Sequence, residues 1–362
     1  MFLGFGEVMM RVCPEQRLRW RQALPGRVEV TWGGGEANVC ASLAMYGHPV
    51  RYVTALPDNP VSRSLEQSLR GLGVDTGHIY WREKGRLGVY YVEVGANQRG
   101  STVLYDRDHS AVSQATVDEY DFDAALEGVK WVHLSGITPA ISEAAFGANL
   151  ELARRAREAG ASVSCDLNYR NKLWRWHPRL SGRELARECM AELLPMVDLV
   201  IGNEEDAADV LDIHPEKTDV TRGQLEVDSY QQVARRVAER YPNLSRVAVT
   251  LRESVSADHN NWSGMLLDVA SDQCFLAPLS GEGNYEPYQV NDIVDRVGAG
   301  DSFAAGLLHA LESEDFSEPA MAIRFAVAAS CLKHSIKGDF NFVSQQEVAA
   351  LVSGNASGRV QR

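Results

Sequence analysis

The stretch Asp295-Arg296-Val297-Gly298-Ala299-Gly300-Asp301-Ser302-Phe303 runs directly into Ala304-Ala305-Gly306-Leu307-Leu308-His309-Ala310-Leu311. Ala304, Leu307, Leu308 and Leu311 recur at i, i+3, i+4 and i+7, which predicts a buried helix starting at about Ala299. The small residues of its first turn leave several amide N–H groups unpaired and accessible. That end also carries the positive pole of the helix dipole, which favours a phosphate or a developing oxyanion. Asp301 sits beside those amides, where a carboxylate can take the proton of an attacking hydroxyl. A plainer reading of the same residues is a tight turn made by Gly298 and Gly300, with Asp301 as a helix cap.

Upstream of this stretch, short apolar runs alternate with longer helical ones. Trp131–Leu134 reads as a strand, followed by a helix near Ser142–Ala159. A strand at Ser162–Leu167, a polar helical stretch, a strand at Val197–Ile201 and a helix from Asn203 come next. Val233, Ala234, Val237, Ala238 and Tyr241 share one face of a helix near Tyr230–Tyr241, which leads to a strand at Arg246–Leu251. Repeated strand–helix alternation predicts an α/β fold, with a parallel sheet covered by helices on both sides.

Two regions break the alternation. Residues 86–108 read as a hairpin, with strands Arg86–Val94 and Ser101–Asp108 around a turn containing Gly95, Asn97 and Gly100. Residues 8–32 alternate between apolar and polar without helical spacing. Together they predict a small β-sheet appended to one body spanning 1–352. Residues 252–290 show Gly, Asn and Ser dispersed among short strand-like runs, and the polar tail 353–362 is expected to fray.

Composition narrows the function classes. The 362 residues carry 36 Lys+Arg against 49 Asp+Glu, a net charge of −13, so no surplus of cations is available for nucleic acid or an anionic membrane. No run of about 18 apolar residues occurs, and the first residues lack the basic and apolar regions of a signal peptide. The six cysteines are scattered without a Cys-x-x-Cys pair, and the nine histidines show no zinc spacing. These features favour a cytoplasmic protein with reduced thiols. Two other glycine clusters, at Gly4-Phe5-Gly6 and Gly33-Gly34-Gly35, lack the third glycine of a dinucleotide fingerprint, where Met9 and Asn38 stand instead. No Gly-Lys dipeptide occurs, which excludes a Walker P-loop.

Asp295–Phe303 resembles the C-terminal signature of the ribokinase-like (pfkB) carbohydrate kinases. Gly33-Gly34-Gly35-Glu36-Ala37-Asn38-Val39, with Leu43, Ala44 and Gly47, resembles that family's N-terminal signature, about 260 residues earlier. Three further stretches resemble the 2-keto-3-deoxygluconate kinases within it. They are Trp131–Ala140, Asp166-Leu167-Asn168-Tyr169-Arg170 with Leu173-Trp174, and Tyr105-Asp106-Arg107 with Ser110-Ala111.

The resemblance implies a Rossmann-type α/β body with a β-sheet lid at about 8–32 and 86–108. It also implies transfer of the ATP γ-phosphoryl group to the terminal hydroxyl of a 2-keto-3-deoxy sugar acid. Asp301 would be the base, with the amides of Val297, Gly298, Ala299 and Gly300 holding the moving phosphoryl group. Gly34, Tyr90, Tyr105, Arg107, Ile137 and Arg170 would surround the sugar acid. Arg107 and Arg170 are suited to its carboxylate because a guanidinium pairs with it in a planar, often bidentate way.

Asn203, Thr250, Arg252, Gly298 and Gly300 would meet the nucleotide. Glu205 or Asp206 would organise Mg²⁺ through water, and Asp295 matches a ligand of a monovalent cation such as K⁺. Three departures stand out: Asp206 where the family has Glu, Arg252 where relatives have Gly, and Arg296 in place of the commoner Thr. A kinase for a neutral sugar or another keto-deoxy acid is the alternative, and a non-catalytic family member a more distant one. The strand edges and apolar Val89 and Val103 of the hairpin predict a homodimer through the lid, or a higher homo-oligomer.

Overall fold

The computed structural model describes residues 1–203, 205–214 and 224–355. Glu204 and the end of the expected tail, 356–362, lie outside the described residues. Seven parallel strands run inward from one edge of a ten-stranded sheet. Their order is Val74–Asp75, Val50–Val53, Phe2–Phe5, Trp131–Ser135, Ser162–Asp166, Leu199–Asn203 and Arg246–Ser254. Every residue of Trp131–Ser135 is buried, as a central strand covered on both faces requires.

Helices pack on both sides of this sheet. One apolar core joins it to Glu143–Glu158, Gly182–Leu193, Asp206–Leu211 and Gln224–Arg240. The other joins it to Gly35–Met45, Pro60–Gly71, Ala299–Leu311, Pro319–Lys333 and Gln345–Val352. The expected helix near Ser142–Ala159 forms as Glu143–Glu158, with the Ser142 side chain accepting from the Ala145 N–H at 3.0 Å. The helix near Tyr230 is longer than its apolar face predicts, because polar turns extend it back to Gln224. The polar helical stretch expected between the strands at Ser162 and Val197 forms as Gly182–Leu193, after an irregular segment that follows Leu167.

Residues 252–290 contain long strands, not short runs. The strand beginning at Arg246 continues through Arg252 to Ser254 and pairs antiparallel with Asn260–Asp268 over nine positions. Gln273–Ala277 and Tyr288–Val290 add to the same sheet, both antiparallel to Asn260–Asp268. This edge therefore departs from the purely parallel sheet that the alternation predicted. The polar residues obscured it because the strand ends lie at the sheet's rim, where Arg252, Glu253 and Ser254 are exposed.

A second sheet of four strands stands apart, in the order Val28–Gly33, Met9–Pro14, Val89–Glu93 and Thr102–Asp106. Met9, Cys13, Tyr90 and Val92 form its own small core. Val89 is buried and Val103 half-buried, contrary to the exposed apolar edge expected from them. The exposed apolar residues of this sheet are instead Leu104, at 66%, and Val30, at 51%. The turn at Asn97 touches the loop after Ser254: Asn97 N–H donates to Asp258 Oδ2 at 2.7 Å, and Ala257 N–H to Asn97 O at 2.7 Å. Arg17 also pairs with Asp258 at 2.8 Å. The four-stranded sheet is thereby tied to the far rim of the large sheet.

Candidate active site

In an open α/β sheet, ligands bind beyond the carboxyl ends of the parallel strands. Here those ends carry Glu7, Ile137, Asp166, Asn168, Arg170, Asn203 and Asp206, which line a cleft of about 360 Å³. The small sheet contributes Met9, Tyr90, Val103, Tyr105 and Arg107, and the segment Arg296–Asp301 completes the lining.

The helix Ala299–Leu311 starts where its spacing predicts. Gly298 precedes it at φ +85°, and a Cβ there would lie 2.3 Å from the Asp339 carbonyl oxygen, so only glycine fits. No side chain caps this helix, which leaves the first N–H groups open towards the cleft. The Val297 N–H is not among them, because it donates to Asp295 Oδ1 at 3.1 Å.

Asp301 reaches the cleft from the first turn, and its Oδ2 accepts from Asn38 Nδ2 at 2.6 Å. The same Asn38 side chain accepts from the Gly34 N–H at 3.2 Å, which fixes its amide orientation. Gly34 is needed for close approach: a Cβ would lie 2.2 Å from the Glu7 carbonyl oxygen. The helix Gly35–Met45 that carries Asn38 is anchored from below by buried Glu36, which accepts from Ser135 Oγ and Thr138 Oγ1, each at 2.7 Å. Desolvation pushes the Asp301 carboxyl up to about 7, and nearby Asp339 and Glu36 act in the same direction. Asn38 and Arg170 oppose them. A carboxyl group near neutrality beside open helix amides is equipped to accept a proton while the amides hold an oxyanion.

Arg170 is exposed and donates to the Tyr169 carbonyl at 3.1 Å. Its charge counters a cluster of acids, since it favours ionisation of Asp166, Asp206 and Asp301. Burial nonetheless raises both Asp166 and Asp206. Arg107 is buried and paired with buried Glu7. Tyr90 also lines the cleft, yet its hydroxyl donates to Asp339 Oδ2 at 2.5 Å.

Asn203 and Asp206 interlock. Asn203 Oδ1 accepts from the Glu205 and Asp206 amides at 2.8 and 3.1 Å, and Asp206 accepts from the Asn203 and Tyr169 amides at 3.0 and 3.1 Å. The shorter Asp206 side chain is thus held by backbone donors. Glu205 is exposed and absent from the cleft wall. Among the described residues, no group of three or more His, Cys, Asp or Glu side chains is arranged to hold a metal. Thr250 and Arg252 line the cleft from within the strand Arg246–Ser254. Arg296 donates to the Ser256 and Ala257 carbonyls at 3.0 and 2.7 Å, fastening the loop that meets Asn97.

Asp295 does not reach the cleft. It is buried, with Oδ2 paired to Arg11 at 2.6 Å and also accepting from the Gly338 N–H at 3.1 Å. Several lining residues carried no individual signal in the sequence: Glu7, Asp339, Trp262 and His334. Asn38, Asp166 and Asn168 stood inside motifs whose other members drew attention.

An α/β sheet with an uncapped, glycine-led helix end beside a buried carboxyl group has the geometry suited to phosphoryl transfer. The pfkB family carbohydrate kinase model matches residues 3–234 and 269–344, and the chain belongs to that family. It is a sugar kinase. It is similar to the crystal structure of 2-dehydro-3-deoxygluconokinase from Thermotoga maritima, with 40% identity, a TM-score of 0.87 and 98% of each chain covered. A PfkB family carbohydrate kinase from Listeria grayi superimposes with a TM-score of 0.84 at 32% identity, covering 97% of this chain and 99% of that one. The 2-dehydro-3-deoxygalactonokinase of Haloferax volcanii is 30% identical, over 98% of this chain and 97% of its own length. No described helix is long and apolar enough to cross a membrane.

Proposed function

We propose that this kinase transfers the γ-phosphoryl group of ATP to the terminal hydroxyl of 2-keto-3-deoxygluconate or its C4 epimer. The observation that carries this reading is that two arginines, Arg107 from the small sheet and Arg170 from the α/β body, line the same cleft as Asp301. A neutral sugar has no use for them, whereas a sugar acid presents a carboxylate that they match. Arg107 is held by Glu7, so Arg170 is the freer partner for that carboxylate. Gly34, Ile137, Tyr90 and Tyr105 shape the sugar subsite around them.

Asp301 takes the hydroxyl proton as the oxygen attacks phosphorus, and ADP leaves from the opposite side of the transferred group. The Gly298, Ala299 and Gly300 amides stabilise the charge on the moving phosphoryl oxygens. Arg252 and Arg296 add positive charge where the nucleotide phosphates would lie, with Asn203 and Thr250 nearby. Asp166, which among the described residues accepts only the Asn168 N–H, would hold a magnesium ion carried on those phosphates through water, whereas both Asp206 oxygens are already held by backbone donors. Such an ion would neutralise phosphate charge. The four-stranded sheet acts as a lid, and its exposed Leu104 and Val30 fit pairing between two copies. ATP dependence and reduced thiols, none of them disulfide-bonded, fit a cytoplasmic enzyme.

A coupled ADP-release assay across sugar acids and neutral sugars tests the assignment. Arg170→Ala should raise KM for the sugar acid about tenfold or more, as expected for loss of a charge-assisted hydrogen bond. Turnover of fructose or ribose above that of the acid would overturn it, as would unchanged acid kinetics in both Arg170→Ala and Arg107→Ala.

A further inference from the structure

Lys333 ends the helix Pro319–Lys333 and is wholly buried, at 0% exposure. Its ammonium donates to the Ile336 carbonyl at 2.9 Å. The stem runs beneath the turn that opens the site: a Cβ on Gly298 would lie 3.2 Å from Lys333 Cε. A buried ammonium is costly, and desolvation holds the Lys333 pKa below its ordinary value, with Arg11 acting the same way; the fields of Asp295, Asp339 and Asp301 oppose that shift. Arg11 supplies a second buried cation, donating to Asp339 Oδ1 at 2.8 Å and Asp295 Oδ2 at 2.6 Å.

A monovalent ion at Asp295 does not fit these residues. Such an ion needs oxygens turned towards it, yet both Asp295 oxygens already accept protons from Val297, Gly338 and Arg11. The Ile336 carbonyl is taken by Lys333 itself. Donors stand where ligands would be required.

We propose that Lys333, supported by Arg11, is a built-in cation that replaces a monovalent metal ion beneath the phosphate-directing helix end. A tethered ammonium adds to the positive helix pole. It also braces the Gly298 turn through the loop 334–339 without having to be recruited from solution. Lys333 is thus a positioning residue: it acts through the amides at Gly298–Gly300 and touches no substrate. The kinetic part of this inference rests on the phosphoryl-transfer reading above.

The test uses the full chain in N-methylglucamine buffer, with K⁺, NH₄⁺ or Na⁺ added at constant ionic strength. Wild-type kcat and melting temperature should be alike in all four media, within about twofold for kcat. Lys333→Ala should lose about 100-fold in kcat, the scale of removing one preorganised electrostatic element. K⁺ or NH₄⁺ should restore much of that loss saturably, and should raise the variant's melting temperature selectively. Severalfold activation of the wild type by K⁺ would overturn the proposal. So would a folded Lys333→Ala that no cation rescues. Should Lys333→Ala not fold in any medium, the wild-type cation panel decides by itself, flat kinetics sustaining the proposal and activation overturning it. Melting responses need no sugar, so they distinguish failure here from an error in the substrate assignment.

Discussion

At the scale of single residues, chemistry converges on Asp301 and on the one side chain that orients it. Desolvation pushes this carboxyl up to about 7, and the base we propose it to be must be ionised to accept a proton. The kcat/KM for the sugar should therefore be low in acid, rise through pH 7 and level off above it. Asp301→Asn should remove about 10³-fold of the rate at the plateau. Asn38 donates to the ionised form, so its hydrogen bond lowers the Asp301 pKa against the effect of burial. Asn38→Ala removes that bond, and the inflection should move to higher pH, with the largest loss of rate in acid. A pH–rate series on both proteins checks the sign, and an inflection that stays in place or moves towards acid would exclude Asn38 as the group that tunes the base.

At the scale of elements, the helix Ala299–Leu311 was legible because its apolar spacing and glycine-led start are both local. Gly35–Met45 was legible only as a motif, not as a helix, and its first turn brings Asn38 to Asp301 across 263 positions. What supports these helix ends was not legible. Arg11 alternates like any strand residue, and Lys333 looks like a solvated cation in a last helical turn. Only the fold shows that both are buried, with Arg11 reaching Asp339 over 328 positions. The antiparallel strand Asn260–Asp268 was hidden for a related reason: its register is set by pairing with Arg246–Ser254, and its polar ends blur the alternation. These contacts make Gly298 a sensitive point. Gly298→Ala introduces a Cβ at φ +85° against the Asp339 carbonyl, and should destabilise the protein by about 1–3 kcal/mol. Because the turn aims the open amides, kcat should fall more than KM changes. Chemical denaturation beside steady-state kinetics measures both effects, and a fully active, equally stable Gly298→Ala would contradict this account of the turn.

At the scale of the whole molecule, the small sheet and the far rim of the large one enclose the cleft from two sides, and few contacts join them. Asp258 is the hub of this connection, accepting from the Asn97 amide and pairing with Arg17, which also donates to the Ile293 carbonyl at 3.2 Å. Arg296 secures the same loop from the cleft side through the Ser256 and Ala257 carbonyls. Arg17 is 43% exposed on its side chain, so its ion pair is screened and contributes little, whereas the hydrogen bond from Asn97 to a charged oxygen is the stronger contact. Together they stabilise the closed arrangement by about 1 kcal/mol. In Asp258→Ala the four-stranded sheet should swing away more often, raising the sugar KM about fivefold, while kcat holds because no reacting group is lost. Added salt weakens the pair in the wild type but not in the variant, so the difference between them should narrow as ionic strength rises. Steady-state kinetics at low and high salt make the comparison. A KM unaffected by Asp258→Ala would mean that the two sheets stay apposed without this latch, and that closure depends on the bound sugar alone.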